Sequence, residues 1–154
     1  MGFHVITVRR WVYAGEIPSE VVGKRENRLS QTEVIRIMEE RRGARIFLYS
    51  RVGPTEASHQ LAQQAGVLRE WVTQHRAGKQ FEEISEVGDS LTLDRANFSR
   101  LLRFIESHKV SELVVLNRQA IIDHPDQEVS ALVFSYFIRH VESFGGFVRV
   151  ISEP

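Results

Sequence analysis

With 154 residues and twenty basic side chains balanced by twenty acidic ones, the chain is long enough for one compact domain and a small appendage. It has no cysteine, which excludes disulfides, iron–sulfur clusters, thiolate zinc sites and thiol nucleophiles together. Uncharged apolar runs such as Ala131–Ile138 fall well short of the roughly 18 residues of a membrane span. Arg9 and Arg10 interrupt the one stretch that could pass for a secretory leader, so a soluble, cytoplasmic protein is expected with no membrane partner.

Charge is uneven along the chain. Residues 1–45 hold nine basic against six acidic side chains, leaving eleven against fourteen in the remainder. A basic head on an acidic body is the pattern of an N-terminal nucleic-acid contact or of ordinary surface variation. Within the head, residues 1–42, Thr7–Tyr13 reads as a short helix that stops at Gly15, with Trp11 as the core aromatic. A strand-like Val21-Val22 follows, then a polar tip over Gly23–Arg28. Ser30-Gln-Thr-Glu33 is a capping box opening a helix that carries Val34, Ile35, Ile37 and Met38. A helix, a two-stranded wing with a basic tip and a closing helix make the layout of a small winged helix.

Residues 44–154 alternate between two periodicities. Arg45–Val52 is an apolar run of strand formers stopped by Gly53-Pro54, and a helix runs from Thr55 or Glu56 to about His75. Phe81–Val87 is a second strand, and a helix from Asp94 or Arg95 to about Ser107 places Phe98, Leu101, Leu102 and Ile105 on one stripe. Glu112–Leu116 has the continuous apolar core of a buried parallel strand. Asp126 then caps a helix reaching about Phe144, and Phe147–Ile151 is a last strand. This order predicts an α/β fold, a four-stranded mainly parallel sheet with helices on both faces. Function in such sheets sits at the carboxyl ends of strands, here 49–55, 86–95 and 116–121. The six histidines show no chelating pair, so no metal is expected. No glycine-rich phosphate loop is present, and no cofactor is expected.

The strand-end residues carry a resemblance. Tyr49-Ser50-Arg51-Val52-Gly53 with Gln64 in the next helix, Ile84-Ser85-Glu86 leading to Asp94-Arg95, and Val114-Val115-Leu116-Asn117-Arg118 together resemble the serine recombinase (resolvase/invertase) catalytic domain. The stretch from Gly2 to Trp11, with Gly15-Glu16-Ile17, resembles the recognition helix and turn of a MerR-type winged helix. The two occur in this order in insertion-sequence serine transposases. The resemblance implies double-stranded DNA as partner, contacted by Arg9, Arg10, Lys24, Arg25 and Arg28, with the 7–13 helix in the major groove. A MerR-type head has a full helix before its recognition helix, so either the start lies upstream of Met1 or the head is reduced.

The departures from that family are chemical. Its serine attacks a phosphodiester while arginines neutralise the charge that builds. The nucleophile's position is Gly53 here, the family's acidic residue is Asn117 and its second clamp arginine is Ile121. Arg51, Arg95 and Arg118 are retained, either to hold an anion or simply as relics. Ser50 points to the opposite face from Arg51, and Thr55 is a secondary alcohol beyond a proline, so neither replaces the missing hydroxyl. The expectation is no catalytic residue and no enzyme activity. In this reading the chain is a DNA-binding or regulatory protein whose α/β domain oligomerises or binds a protein partner. The rival readings are a recombinase or transposase subunit, active or complemented by a partner, and a protein–protein adaptor that ignores DNA.

Overall fold

The computed structural model describes residues 20–22, 26–28, 36, 39, 42–56, 58–89, 91 and 93–152. Near the N-terminus, β1 (Glu20–Val22) and β2 (Glu26–Arg28) form an antiparallel hairpin where the sequence predicts a wing. The register pairs Glu20 with Arg28 and Val22 with Glu26. Only residues 23–25 are left between the strands, and Arg28 stands on β2 rather than in the turn. Arg36 and Glu39 are helical, within the stretch where the sequence predicts a helix, while the capping box at residues 30–33 lies outside the described residues. Arg9, Arg10, Trp11, Lys24 and Arg25 lie outside the described residues.

The remainder is a parallel α/β layer structure. In chain order it comprises β3 (Arg45–Val52), α1 (Ser58–His75), β4 (Phe81–Val87), α2 (Ala96–Glu106), β5 (Val110–Val115), a 3₁₀ turn (Arg118–Ala120), α3 (Gln127–Ser143) and β6 (Val148–Val150). The strands are ordered β4-β3-β5-β6, every neighbour parallel. β3 is therefore interior, which is why its apolar run is continuous rather than alternating. The two-residue period still sorts its side chains. Phe47 and Tyr49 join Phe98, Leu101, Ile105, Leu113, Val115, Ile121, Phe137 and Val141 beneath α2 and α3. Ile46 and Leu48 join Leu68, Val72 and Val114 beneath α1.

The element boundaries differ from expectation for local reasons. α1 begins at Ser58 because Gly53–Glu56 closes as a turn, with the Glu56 amide donating to the Gly53 carbonyl at 3.1 Å. β5 starts at Val110, since pairing with Arg45 extends the strand two residues beyond its apolar core. Asp126 does cap α3, its Oδ1 accepting from the amides of Glu128 (2.9 Å) and Val129 (3.3 Å). No described helix is long and apolar enough to cross a membrane.

The turn from α3 into β6 needs both of its glycines. Gly145 adopts φ of 78°, a left-handed conformation, and a Cβ on Gly146 would lie 2.8 Å from Val141 Cγ1 and 3.1 Å from the Val110 carbonyl oxygen. Val141 is fully buried and stiff at χ1, so neither neighbour can yield. Gly146→Ala is expected to lower stability by about 1–3 kcal/mol, read as a lower urea midpoint. Gly66→Ala, where a Cβ meets nothing within 4 Å, is the matched control, expected to be neutral or slightly stabilising.

Candidate functional site

Three loops meet at the carboxyl edge of the sheet, after β3, β4 and β5. Parallel pairing sets Arg51 of β3 beside Glu86 of β4, and Tyr49 lies two residues back on the same face. Ser50 takes the other face, where its hydroxyl meets that of Ser85 at 2.9 Å. Its side chain thus points away from Arg51, as the strand period requires.

Arg51 and Arg95 are almost wholly buried, at 7% and 5% exposure, and their guanidinium groups point into the protein. Arg51 donates from Nε to the Ala120 carbonyl (3.2 Å), from Nη1 to Gly88 (2.9 Å) and from Nη2 to Gln119 (2.5 Å). Arg95 donates from Nη1 to the Asp89 carbonyl (2.9 Å) and from Nη2 to Ile121 (2.8 Å). Both therefore span the loop that starts at Gly88 and the 3₁₀ turn with its following residue. They hold the two segments together as a pair of braces. Loop carbonyls cannot pair with each other, and a planar fork with several donors is suited to satisfying them in one step.

Glu86, also buried, balances this charge. Its Oε2 accepts from the Tyr49 hydroxyl (2.8 Å) and the Phe98 amide (3.2 Å), and lies 3.5 Å from Arg95 Nε. Its Oε1 accepts from the Asn97 amide at 3.0 Å. The first turn of α2 is thus capped by a carboxylate from the neighbouring strand, and Arg95 at the N-cap position makes no side-chain cap of its own. The Arg95 guanidinium also stacks 4.9 Å from the Phe98 ring centroid. Gly88 makes room for this side chain, since a Cβ there would lie 3.0 Å from Arg95 Cδ.

Burial and like charge both act on these groups. Arg51 is held below the ordinary guanidinium range, first by burial and then by the adjacent Arg95, with Tyr49, Asp123 and Glu56 opposing. The Tyr49 phenol is pushed above its ordinary range, mainly by burial; Arg95 opposes this and the hydrogen bond to Glu86 adds to it. Tyr49 is a hydroxyl beside a guanidinium, but it is fully buried, protonated and donating to Glu86. It offers no accessible nucleophile.

The other candidate positions lie around the same edge. Gly53 follows β3, and its amide donates to Glu56 Oε2 at 3.0 Å. A Cβ at Gly53 would meet only the Glu56 side chain, at 3.8 Å, so a side chain there is sterically allowed. A carboxylate already occupies the backbone donor of this turn. Thr55 is exposed on it. Asn117 precedes the 3₁₀ turn with extended backbone and makes no side-chain cap. Arg118 is half-buried and donates to Gln127 Oε1 at the start of α3. Ile121 is fully buried in the larger core, and it is its carbonyl that receives Arg95. No cluster of metal-ligating side chains occurs among the described residues. The structure thus brings Arg51, Arg95 and Ile121 together as one brace, and leaves Gly53 and Arg118 at its rim. Sequence reasoning missed the cap provided by Glu86 and the carboxylate of Glu56 on Gly53. The second was signalled by Gly-Pro-x-Glu, a turn with an acceptor three residues on.

Replacing either brace leaves a buried carbonyl without its donor, that of Ala120 for Arg51 and that of Ile121 for Arg95. Arg51→Met and Arg95→Met are each expected to cost about 2–4 kcal/mol, measured by chemical denaturation. Tyr49 sets a further expectation. A phenol whose folded pKa is raised stabilises fully below its unfolded value of about 10, and that stability is lost as pH rises beyond it. Alkaline unfolding should therefore begin above about pH 10, with Tyr49 ionising only as the fold opens. In Tyr49→Phe the alkaline fall should be shallower, and the phenolate absorbance step that coincides with unfolding should disappear.

Comparison with known proteins agrees with this architecture. Among curated proteins none matches the sequence. Similar solved structures include the C-terminal catalytic domain of ISC1926 TnpA, an IS607-like serine recombinase, with a TM-score of 0.59, 17% identity and 71% of each chain covered. The first open reading frame of transposon ISC1904 from Sulfolobus solfataricus P2 aligns with a TM-score of 0.58 and 21% identity, over 72% of this chain and 69% of that one. A serine recombinase from Sulfolobus solfataricus gives 0.57 and 24% identity over 71% of each chain. The family model "Resolvase, N terminal domain" matches residues 46–133, from the first core residue of β3 into α3 and so more than half the chain. With that match laid over the parallel sheet and its arginine-braced edge, the chain belongs to the resolvase N-terminal domain family.

Proposed function

We propose that this member of the resolvase family does not break DNA. It binds duplex DNA through its basic N-terminal region and acts as a regulatory protein, with the α/β domain as an assembly or partner-binding module. The observation that carries the reading is the pairing of Gly53, which has no side chain, with two arginines whose guanidinium groups are turned inward onto loop carbonyls. Serine recombinase chemistry, named for the similar structures, needs a hydroxyl and cations free to receive phosphate charge. Here a phosphate would have to displace carbonyl acceptors from buried arginines, and it would meet the Glu56 carboxylate at the turn. Both effects raise the barrier to a covalent step that already lacks its attacking atom.

The purified chain is expected to retard duplex DNA in a gel, with an affinity that falls steeply as salt rises. Contact through about three to five cations corresponds to a log–log slope of roughly −3 to −5. Arg9→Ala with Arg10→Ala should lower affinity and flatten the slope, and no protein–DNA band should survive boiling in detergent. A surviving band overturns the non-cutting reading. Absence of retardation even at low salt overturns the DNA-binding part and leaves an adaptor.

A partner-complemented subunit is the second reading, favoured by the turn's tolerance of a side chain at position 53, where a Cβ would make only ordinary contact with Glu56. Gly53→Ser should fold with stability within about 1 kcal/mol of the parent, since its backbone needs no left-handed conformation. On the non-cutting reading this variant still forms no adduct in a recombination assay. A detergent-stable adduct from Gly53→Ser would show that a single side chain separates this chain from cleavage.

A further inference from the structure

We propose that the amino edge of the sheet, opposite the edge that carries the arginine brace, is a second contact surface for the phosphate backbone of duplex DNA. The proposal rests on reading the chain as a DNA-binding protein that does not cut, and it puts the contact away from the resolvase-type site. A parallel sheet sends every segment that enters a strand to one edge and every segment that leaves a strand to the other. The entering segments 42–45, 76–80, 107–109 and 144–147 contain Arg42, Arg45, Arg76, Lys79 and Lys109 and no carboxylate. The segments leaving β3, β4 and β5 are 53–56, 88–95 and 116–126. They contain five carboxylates, Glu56, Asp89, Asp94, Asp123 and Asp126, all exposed. Their two cations are Arg95, buried and turned inward, and the half-buried Arg118. The sheet is thus electrically polar from edge to edge, although the chain as a whole is neutral. A polyanion is drawn to the amino edge and repelled from the other.

Two of the amino-edge cations are already matched. Arg45 pairs with Glu82, and Arg76 Nε lies 2.8 Å from Glu112 Oε2. Arg42 and Lys79 are exposed and make no ion pair among the described residues. The Lys109 ammonium donates to the Arg42 carbonyl at 3.0 Å, and the Arg45 amide donates to the Lys109 carbonyl at 3.0 Å. These bonds fix Arg42 beside the start of β5. Lys79 stands ahead of β4, on the other side of β3, in a turn closed by its amide on the Arg76 carbonyl (3.0 Å). With strands about 4.8 Å apart, the segments ahead of β4, β3 and β5 span about 10 Å, close to the rise of three nucleotides along one DNA strand. Arg42 also ends the basic N-terminal region where the chain enters β3, so the two sets of cations adjoin in the sequence. A phosphate backbone is the partner that such a spaced row of unmatched cations fits.

Retardation of duplex DNA by the full chain over a series of salt concentrations tests this. Arg42→Ala with Lys79→Ala should flatten the log–log slope by about two units and weaken binding about tenfold or more at moderate salt. Arg100→Ala with Arg139→Ala removes the same charge from exposed positions on α2 and α3, and should change the slope by less than about half a unit. All four side chains are exposed, and circular dichroism with a thermal melt verifies that each variant is folded. An amino-edge variant that binds as the parent does, or an equal loss from both pairs, overturns the proposal and leaves the N-terminal contact standing. A parent that retards no DNA even at low salt overturns both. If Arg9→Ala with Arg10→Ala changes nothing while Arg42→Ala with Lys79→Ala flattens the slope, the amino edge stands and the N-terminal contact falls.

Discussion

Arg51 and Arg95 determine how the loops at the carboxyl edge of the sheet are held. Each sends donors to backbone carbonyls in two separate segments, the one beginning at Gly88 and the one spanning Gln119–Ile121. Without those donors the buried carbonyls of Ala120 and Ile121 would be left unpaired, and the loop would have to open to water. Two cations side by side in low dielectric repel each other, and Glu86 makes the arrangement tolerable. The same carboxylate caps α2 and fixes the Tyr49 phenol, so one acidic side chain joins strand, helix and brace.

Functional consequence follows from direction rather than identity. An arginine at the end of a parallel strand is a natural ligand for an anion only if its fork faces outward. Here both forks face carbonyl oxygens, and the turn amide that remains at Gly53 is taken by Glu56. Arg51 and Arg95 are therefore present, yet their donors serve the protein's own backbone. Ile121 extends the same logic: its side chain fills core and its carbonyl takes a hydrogen bond from Arg95.

The layered fold was legible because periodicity is local. The run Ile46–Tyr49, the stripe on α2 and the Asp126 cap each depend on residues within one or two turns of each other. Parallel pairing was legible from the alternation of strand and helix. The brace was not. Arg51 finds two of its acceptors roughly seventy residues away and the third 37 away, and no spacing rule announces a side chain that bonds to backbone. Glu86 was legible as an acidic strand end but not as the cap of α2, because capping is ordinarily sought within the helix's own first turn. The starts of α1 and β5 shifted for the related reason that a turn hydrogen bond and a cross-strand partner decide them, and neither is written in hydrophobic pattern.

The interior place of β3 also bears on how the chain is made. It is the first strand of the sheet to be synthesised, and both of its partners, β4 and β5, come later. Its second edge stays unsatisfied until residues 110–115 have left the ribosome, several seconds later at ordinary elongation rates. For that interval Ile46-Phe47-Leu48-Tyr49, an apolar segment that the finished sheet buries, is a nascent sticky edge.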